Sequence, residues 1–521
     1  MQRVLLVKPD ASFALDVAPP VGLGYLGASV RRAGHDVRVL DNRLPHQNEE
    51  LMWKMVENWK PTAVGFSAFS YEVGEVHRLA REMRKRLPKA LILAGGPLAS
   101  SDPDGALGEG VVDCAVQGEG EAITVEILNR LDKEECWHDL PAVAYWDEKA
   151  NVAVVNPITS YIDDLDALPA PEWDLLDVRA YSFLPRQGFI YKNRNYFPVF
   201  TSRGCPYRCI YCHDVFGKKF RPRSSQTVLE EIGDLVENYN CKEIHFIDDI
   251  FNLNKYRAAE ILQGIIDNGW KLSLAYPNGL RGDILTPELI DLMKAAGTFK
   301  VSIAVESGTK RMQKVMRKNL KFEKCKESIS HLVRNRILTH AFFLVGFPSE
   351  TEEEVQATID FAQEIDAHTA SFFIVNPFKG TELADMVEEQ GHKATADYRV
   401  SGYFDPTVAD LAISEVTPER LREMVSKATR DFYMKRPGRL LRILRDLPLK
   451  RQIPFLGFLW MNRAFMPQAI RFERLMFKTY GSMLNAVYGE KSKIPTDGME
   501  SKAGSQGGYL ARLRRSFLFG Q

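Results

Sequence analysis

Two runs of strand–helix alternation constrain this 521-residue chain more than any other feature. In the first, the β-rich stretches Val4–Val7, Val37–Leu40, Ala63–Ser67, Leu91–Ala94 and Cys114–Gln117 are separated by amphipathic stretches such as Gly24–Ala33 and Val73–Leu87. Alternation of this kind predicts a parallel, doubly wound (Rossmann-like) α/β sheet with helices on both faces. Ligands of such sheets bind beyond the carboxyl ends of the strands. Those ends carry Pro9-Asp10, Ser67-Ala68-Phe69, Gly95-Gly96-Pro97 and Gly118-Glu119-Gly120-Glu121. Glycine there lets a bulky ligand approach the backbone closely, and tight turns use it as well.

The second run has strand candidates at Pro198–Thr201, Glu243–Ile247, Leu272–Ala275, Lys300–Val305, Ala341–Val345 and Ser371–Val375. Its helices carry readable starts and stops. Thr286-Pro287-Glu288 opens one that Gly297 closes, and Thr351 with Glu354 forms a capping box for another. Six such units predict a barrel or partial barrel, with chemistry at the C-terminal ends of its strands. Residues 151–194, rich in Asp, Pro and aromatics, read as a connecting segment. After 385 the chain reads as mostly helical to about 488, with Thr417-Pro418-Glu419 starting one helix, and 489–521 reads as a disordered tail. The expected domains are therefore 1–150, 195–385 and the helical 386–488.

Lys plus Arg equals Asp plus Glu, 68 each, so no global field draws in nucleic acid. No run approaches the ~20 apolar residues of a membrane span. The stretch before Lys8 is a short strand rather than a signal peptide, so a cytoplasmic location is expected, where disulfides are rare. A basic stretch followed by an apolar one, 435–461, offers either a peripheral membrane contact or a helical cap that exposes its arginines.

Seven cysteines do not make a disulfide framework, and Cys114, Cys136, Cys241 and Cys325 lie scattered. Cys205, Cys209 and Cys212 do not; they crowd with His213 into "SRGCPYRCIYCHD". Cys209-Ile-Tyr-Cys212-His213 matches a c-type haem attachment pattern, but that needs export and leaves Cys205 unexplained. A structural zinc would need adjacent Cys212 and His213 on one ion, and there is no second knuckle. Three thiolates can instead hold three irons of a cubane and leave the fourth iron open. The loop directly follows a strand, which places it at the barrel mouth.

Cys205-x3-Cys209-x-Tyr211-Cys212 resembles the signature of the radical S-adenosylmethionine (SAM) enzymes. The likeness continues strand by strand, through Phe246–Phe251, Asn278–Arg281, Ala304–Gly308, Val345–Thr351 and Asn376–Thr381, over about 195–385. The stretches "PPVGLGYLGASVRRAGHDVRVLD", "VGFSAFS", "LAGGPLAS" and "DCAVQGEGE" are similar to the cobalamin-binding domain of one large subgroup. The resemblance implies a cobalamin-dependent radical SAM enzyme: a Rossmann-like cobalamin-binding domain, a partial (β/α)6 barrel and a helical C-terminal region. It implies Cys205, Cys209 and Cys212 as ligands of a [4Fe-4S] cluster whose open iron binds SAM. Tyr211, Asp248, Asp249, Arg281, Glu306, Ser307, Gly346 and Pro348 are the implied SAM contacts. Ser67, Phe69, Gly95, Gly96, Gly118 and Glu119 are the implied cobalamin contacts. The motif Asp-x-His-x-x-Gly is absent, and His35, His46 and His77 do not stand in it. His213 is read as a neighbour of the cluster rather than a ligand.

By this resemblance the activity is methyl transfer to an unactivated carbon of a small metabolite or lipid, through a 5′-deoxyadenosyl radical and methylcobalamin. A flavodoxin or ferredoxin would supply electrons, and residues 385–490 would close the site. Ring closure or oxidation by the same cofactors is the alternative, with a non-catalytic cobalamin- or tetrapyrrole-binding protein behind it. A methylthiolating enzyme of transfer RNA is disfavoured, because only Cys114 and Cys136 occur in the N-terminal domain.

Overall fold

A computed structural model describes residues 1–10, 17–182, 184, 190–391 and 412–447. The first sheet contains β1 (Arg3–Lys8), β2 (Asp36–Asp41), β3 (Ala63–Ser67), β4 (Leu91–Gly95), β5 (Cys114–Val116), β6 (Val143–Asp147) and β7 (Val152–Val155). Its order is β2-β1-β3-β4-β5-β6-β7, parallel through β5 and antiparallel at the last two strands. The five strands predicted from sequence are present. The β6–β7 hairpin was not predicted, although its signal is readable: alternating apolar runs flank a turn in which Asp147 Oδ1 accepts from Lys149 N and Ala150 N. This sheet therefore runs past residue 150 to Val155. Helices Val21–Arg32 and Gly120–Asp132 cover one face, and Glu49–Trp59 and Val73–Arg86 the other.

The second sheet is built from β8 (Tyr196–Val199), β11 (Glu243–Phe246), β12 (Ser273–Leu280), β13 (Thr298–Glu306), β14 (Leu338–Val345) and β15 (Thr369–Ile374). Between β8 and β11 lies a small antiparallel ribbon, β9 (Ser202–Arg203) with β10 (Arg221–Pro222). The order is β15-β14-β13-β12-β11-β8, all parallel, and β8 and β15 do not meet. The expected partial barrel is thus an open six-stranded arc. The predicted caps form: Thr286 Oγ1 accepts from Leu289 N, Thr351 and Glu354 make a capping box, and Thr417 accepts from Arg420 N. Gly297 is obligatory, with φ +102° and a Cβ position 2.2 Å from Leu272 O.

Of the helical C-terminal region, two helices are described, Pro418–Met434 and Pro437–Asp446. The first packs Leu421, Met424, Val425, Ala428 and Phe432 into the main core beside β15. The second places Ile443 and Leu447 against Leu338, at the start of β14, under the sheet rather than over its mouth. Its described arginines divide: Arg436 and Arg445 are exposed, as expected of a cap, and Arg439 and Arg442 are engaged with protein. Arg439 is buried and donates to the carbonyls of Phe432 (2.6 Å) and Ile365 (3.1 Å), and Arg442 pairs with Asp366 at 2.6 Å. These cations finish the C-terminal end of helix Glu352–Glu364, where carbonyls lack partners. The apolar half of the 435–461 stretch lies outside the described residues. Among the described residues no helix is long and apolar enough to cross a membrane.

Candidate active site

The cysteine loop begins where β9 ends. Gly204 has φ +81°, and a Cβ there would lie 2.3 Å from Lys219 O, so only glycine lets the ribbon close. Cys205 N donates to Gly217 O (3.3 Å) and Cys212 N to Cys209 O (3.1 Å). The ends of the surrounding strands then hold the loop from several sides. After β11, Asp249 Oδ2 accepts from Gly204 N at 3.1 Å. After β12, the Arg281 guanidinium stacks on the Tyr207 ring, 4.0 Å from its centroid. After β13, Met316 O accepts from Ile210 N, and after β15, Leu383 N donates to Ile210 O. After β14, the Phe347 ring meets Tyr211 edge-on at 5.6 Å. Ile413, from the C-terminal region, packs into the same apolar cluster as Ile210. That is where the region expected to close the site reaches the mouth among the described residues.

The residues expected to touch SAM fall into two groups. Three are engaged in holding the loop. Asp248 is buried and its Oδ1 accepts from Thr201 N, Thr201 Oγ1 and Ser202 Oγ, while its Oδ2 has no partner. Asp249 holds Gly204, and Arg281 pairs with Asp283 at 2.8 Å while it stacks on Tyr207. The others lie at or just past the ends of β13 and β14, or, like Tyr211, in the cysteine loop. Glu306 ends β13 with φ +71°, a strained backbone for a non-glycine residue, and pairs with buried Lys318 at 3.0 Å. Lys318 also reaches the Tyr211 hydroxyl at 3.4 Å, and burial beside Glu306 pushes that phenol well above its usual range. Ser307 Oγ bonds Thr358 Oγ1 and caps Thr309 N. Gly346 adopts φ +89°, and Pro348 is buried two residues on. Glu350 shapes this turn by accepting from Gly346 N (2.5 Å) and Phe347 N (3.0 Å). Burial pushes its carboxyl up to about 7.

On the first sheet, the order β2-β1-β3 makes a topological switch between β1 and β3, the place where doubly wound sheets bind ligands. Lys8 at the end of β1 forms a buried ion pair with Glu72, which also accepts from Phe69 N (2.7 Å). The Phe69 ring lies over Lys8, stacks on Tyr71 at 5.6 Å and is 43% exposed. Next to it, Gly96 at φ +79° packs on Ser67 and Ala68, and a Cβ at Gly95 would find nothing closer than Val116 O at 4.0 Å. Ser67, Phe69, Gly95 and Gly96 thus gather at the carboxyl ends of β3 and β4, beside the switch-point crevice. His35, His46 and His77 are engaged elsewhere, with Gln2 and Asn129, Asp177, and Ala106 O respectively.

Gly118 and Glu119 belong to a different place. Glu119 is buried, with both carboxylate oxygens taken: Oε1 by Arg203 (2.8 Å) and Arg221 (3.0 Å), Oε2 by Arg221 (2.8 Å) and Ile162 N (2.7 Å). Gly118 lies 3.6 Å (from its Cβ position) from Val215 O of the cysteine loop. This loop of the first sheet therefore abuts the cysteine loop. Arg203, Arg221, Glu121, Tyr207, Lys318 and Glu350 were not singled out from the sequence. Arg203 directly precedes Gly204-Cys205, which was the one available signal.

The donor sets suit the groups that such sites carry. Burial raises the Cys205 thiol, and burial with the neighbouring Cys209 raises Cys212 to about 12, although Cys212 itself reaches solvent. Thiols raised mainly by burial in this way would be ionised by a bound cationic iron centre. Among the described residues no three His, Cys, Asp or Glu side chains converge on one ion, and a cubane does not require that, because each thiolate takes a separate iron. At the ends of β3 and β4 the exposed Phe69 ring and the bare backbone of Gly95 are the surface that a flat ligand would meet.

Fold and site together define a two-domain cofactor enzyme. The radical SAM superfamily model matches residues 199–362 and the B12 binding domain model matches 11–128. The chain belongs to the cobalamin-dependent radical SAM family. It is 29% identical over 444 residues to an uncharacterized methyltransferase of Pyrococcus horikoshii, covering 84% of this chain and 93% of the relative. A hopanoid C-3 methylase of Methylococcus capsulatus is 29% identical over 463 residues, 86% and 84% of the two chains. An anaerobic magnesium-protoporphyrin IX monomethyl ester cyclase of Rubrivivax gelatinosus is 25% identical over 449 residues, 83% and 78%. Among solved structures, the methyltransferase TsrM from Kitasatospora setae superposes with TM-score 0.61 at 23% identity, covering 75% of each chain. The cobalamin-dependent radical enzyme OxsB superposes with TM-score 0.66 at 17% identity, covering 96% of this chain and 75% of that one. These two likenesses show the shared fold.

Proposed function

We propose that this chain is a cobalamin-dependent radical SAM methyltransferase acting on an unactivated carbon of a small metabolite or lipid. The observation that carries the reading is the placement of the cysteine loop, pinned by five strand ends on one side and abutted by the B12 binding domain on the other. Cys205, Cys209 and Cys212 would hold a [4Fe-4S] cluster, and Glu306, Ser307, Gly346, Pro348 and Tyr211 would contact SAM beside it. Ser67, Phe69, Gly95 and Gly96 would hold cobalamin. When bound, these groups supply a carbon radical that removes hydrogen from the substrate and a methyl group to replace it. The protein's own part is to orient and to exclude water. Asp248, Asp249 and Arg281 fix the loop; Glu306 with Lys318 sets one polar edge of the mouth; Phe347 and Ile413 cover its apolar side. A small electron-transfer protein of the flavodoxin or ferredoxin class would reduce the cluster.

The similarity to a cyclase favours one second reading, ring closure or oxidation without methyl transfer. The two are separated by giving the reconstituted chain SAM labelled in its methyl group, a reductant and a mixed metabolite and lipid extract. Methyl transfer predicts label in an extract component, with S-adenosylhomocysteine accumulating alongside 5′-deoxyadenosine. 5′-Deoxyadenosine with no S-adenosylhomocysteine and no labelled product would overturn it in favour of the second reading.

A further inference from the structure

Glu119 sits at the centre of a buried ionic joint between the two domains. Four arginines, Arg203, Arg221, Arg223 and Arg257, are buried there together with four carboxylates, Glu119, Glu121, Glu231 and Asp248. Glu119 is the N-cap residue of the helix after β5 and Glu121 lies in its first turn, and Arg203 bridges them at 2.8 and 2.6 Å. Arg221 adds the carbonyls of Ile162 and Phe216 to its two bonds with Glu119, so it ties the connecting segment and the cysteine loop into the same knot. Tyr25, from the first helix, lies 5.2 Å under Arg203 and accepts from Arg223, which pairs with Glu231. Around this knot the packing is tight. Gly118 lies against Val215 O, and a Cβ at Gly217 would strike the Tyr161 ring at 2.6 Å. A second contact lies on the far side of the cysteines, where Lys379 pairs with Asp102 at 2.9 Å and Gly380 packs on Ser101. Phe378, two residues before Gly380, faces His213 at 5.6 Å, so this contact also abuts the cysteine loop.

Such a joint is an expensive way merely to glue two domains. Isolated charges are costly to bury, and apolar packing would serve adhesion as well. What charge pairs with fork geometry provide, and apolar packing does not, is a fixed register. The residue that follows Arg203 is Gly204, and the next is Cys205; the residue that precedes Glu119 is Gly118, at the end of the sheet that carries Ser67, Phe69, Gly95 and Gly96. Glu119 therefore couples the position of the cysteine loop directly to that of the B12 binding domain.

We propose that Glu119, through Arg203 and Arg221, is a positioning residue that sets the separation and orientation of the cluster loop relative to the cobalamin crevice. The proposal rests on the reading that both groups bind, and loading is measured separately from position. The test uses the full chain reconstituted with iron, sulfide and cobalamin, with pulsed electron paramagnetic resonance reading the dipolar coupling between the reduced cluster and cob(II)alamin. Wild type should give one narrow distance distribution. Glu119→Gln should load both centres to wild-type stoichiometry and give a distribution at least twofold broader. Arg221→Lys keeps the charge but loses the fork, and should broaden it in the same sense should Glu119→Gln fold poorly. A distribution as narrow in Glu119→Gln and Arg221→Lys as in wild type would overturn the proposal. A wild-type chain that takes up iron but no cobalamin would instead overturn the reading on which it rests.

Discussion

The ends of β4 and β5 lie next to each other in one sheet, and both are rich in glycine, yet they do opposite things. At the end of β4, Gly95 and Gly96 lie beside Ser67 and the exposed ring of Phe69. After β5, Gly118 and Glu119 are closed in by Tyr161, Val215 and two arginines. A glycine at a strand end leaves room, and what occupies the room is decided by the neighbouring domain. One loop lies beside an exposed aromatic ring; the other faces protein.

The contrast can be broken by mutation. The largest effect is expected on the closed side. Glu119→Gln leaves Arg203 and Arg221 short of their shared carboxylate, and breaking a buried pair costs about 3–5 kcal/mol, to be read as a loss of unfolding free energy in denaturant. Gly204→Ala comes next. The 2.3 Å approach to Lys219 O and the positive φ should cost at least ~1–3 kcal/mol and lower the iron bound after reconstitution. The paired test of the comparison itself is smaller. Gly118→Val meets strain at φ +65° and should destabilise by about 1–3 kcal/mol while cobalamin uptake persists. Gly95→Ala has room for its Cβ, 4.0 Å from Val116 O, and should shift stability by no more than ~0.5 kcal/mol. Its cobalamin content after gel filtration should nevertheless fall severalfold. The reverse pattern would mean that the crevice and the joint have been exchanged.

The smallest expected effect concerns pH. Burial raises the Glu350 carboxyl to about 7 in the folded chain, above its ordinary 4.5. A raised acid binds its proton more tightly when folded, so this contribution to stability is complete below about pH 4.5 and is lost as pH rises through 7. Glu350→Gln keeps an acceptor for the amides of Gly346 and Phe347 without the charge. Between pH 6 and 8 its midpoint of unfolding should fall less than that of wild type, by the equivalent of about 1–2 kcal/mol. Parallel pH profiles would show that Glu350 does not titrate in this range.

How much of this was legible in the sequence follows from what each signal depends on. The parallel strands were, because a buried strand between amphipathic helices must be apolar whatever its neighbours are. The caps at Thr286, Thr351 and Thr417 were, because they act within one turn. Cys205, Cys209 and Cys212 stood out by spacing alone. The roles of Glu119, Asp248 and Arg281 were not legible. Each was read as facing a ligand, and each has protein partners from segments far away in sequence, such as Arg203, Thr201 and Tyr207. An acid at a strand end and an arginine in a loop carry no local mark of the partner they will meet. Lys318 and Arg221 were missed for the same reason, since an ordinary cation becomes notable only when it is buried. The β6–β7 hairpin is the contrary case, since its alternation and turn were local and readable.

The central claim is that the cysteine loop carries a redox-active cluster that opens SAM, with the cobalamin crevice held in register beside it. The most direct measurement is anaerobic reconstitution of the full chain, followed by incubation with SAM and a strong reductant and quantification of 5′-deoxyadenosine. The account predicts one cluster and one cobalamin per chain, with 5′-deoxyadenosine formed by wild type and reduced to background in Cys209→Ala. A loaded wild-type chain that forms no 5′-deoxyadenosine, or a Cys209→Ala variant that forms as much as wild type, would contradict it.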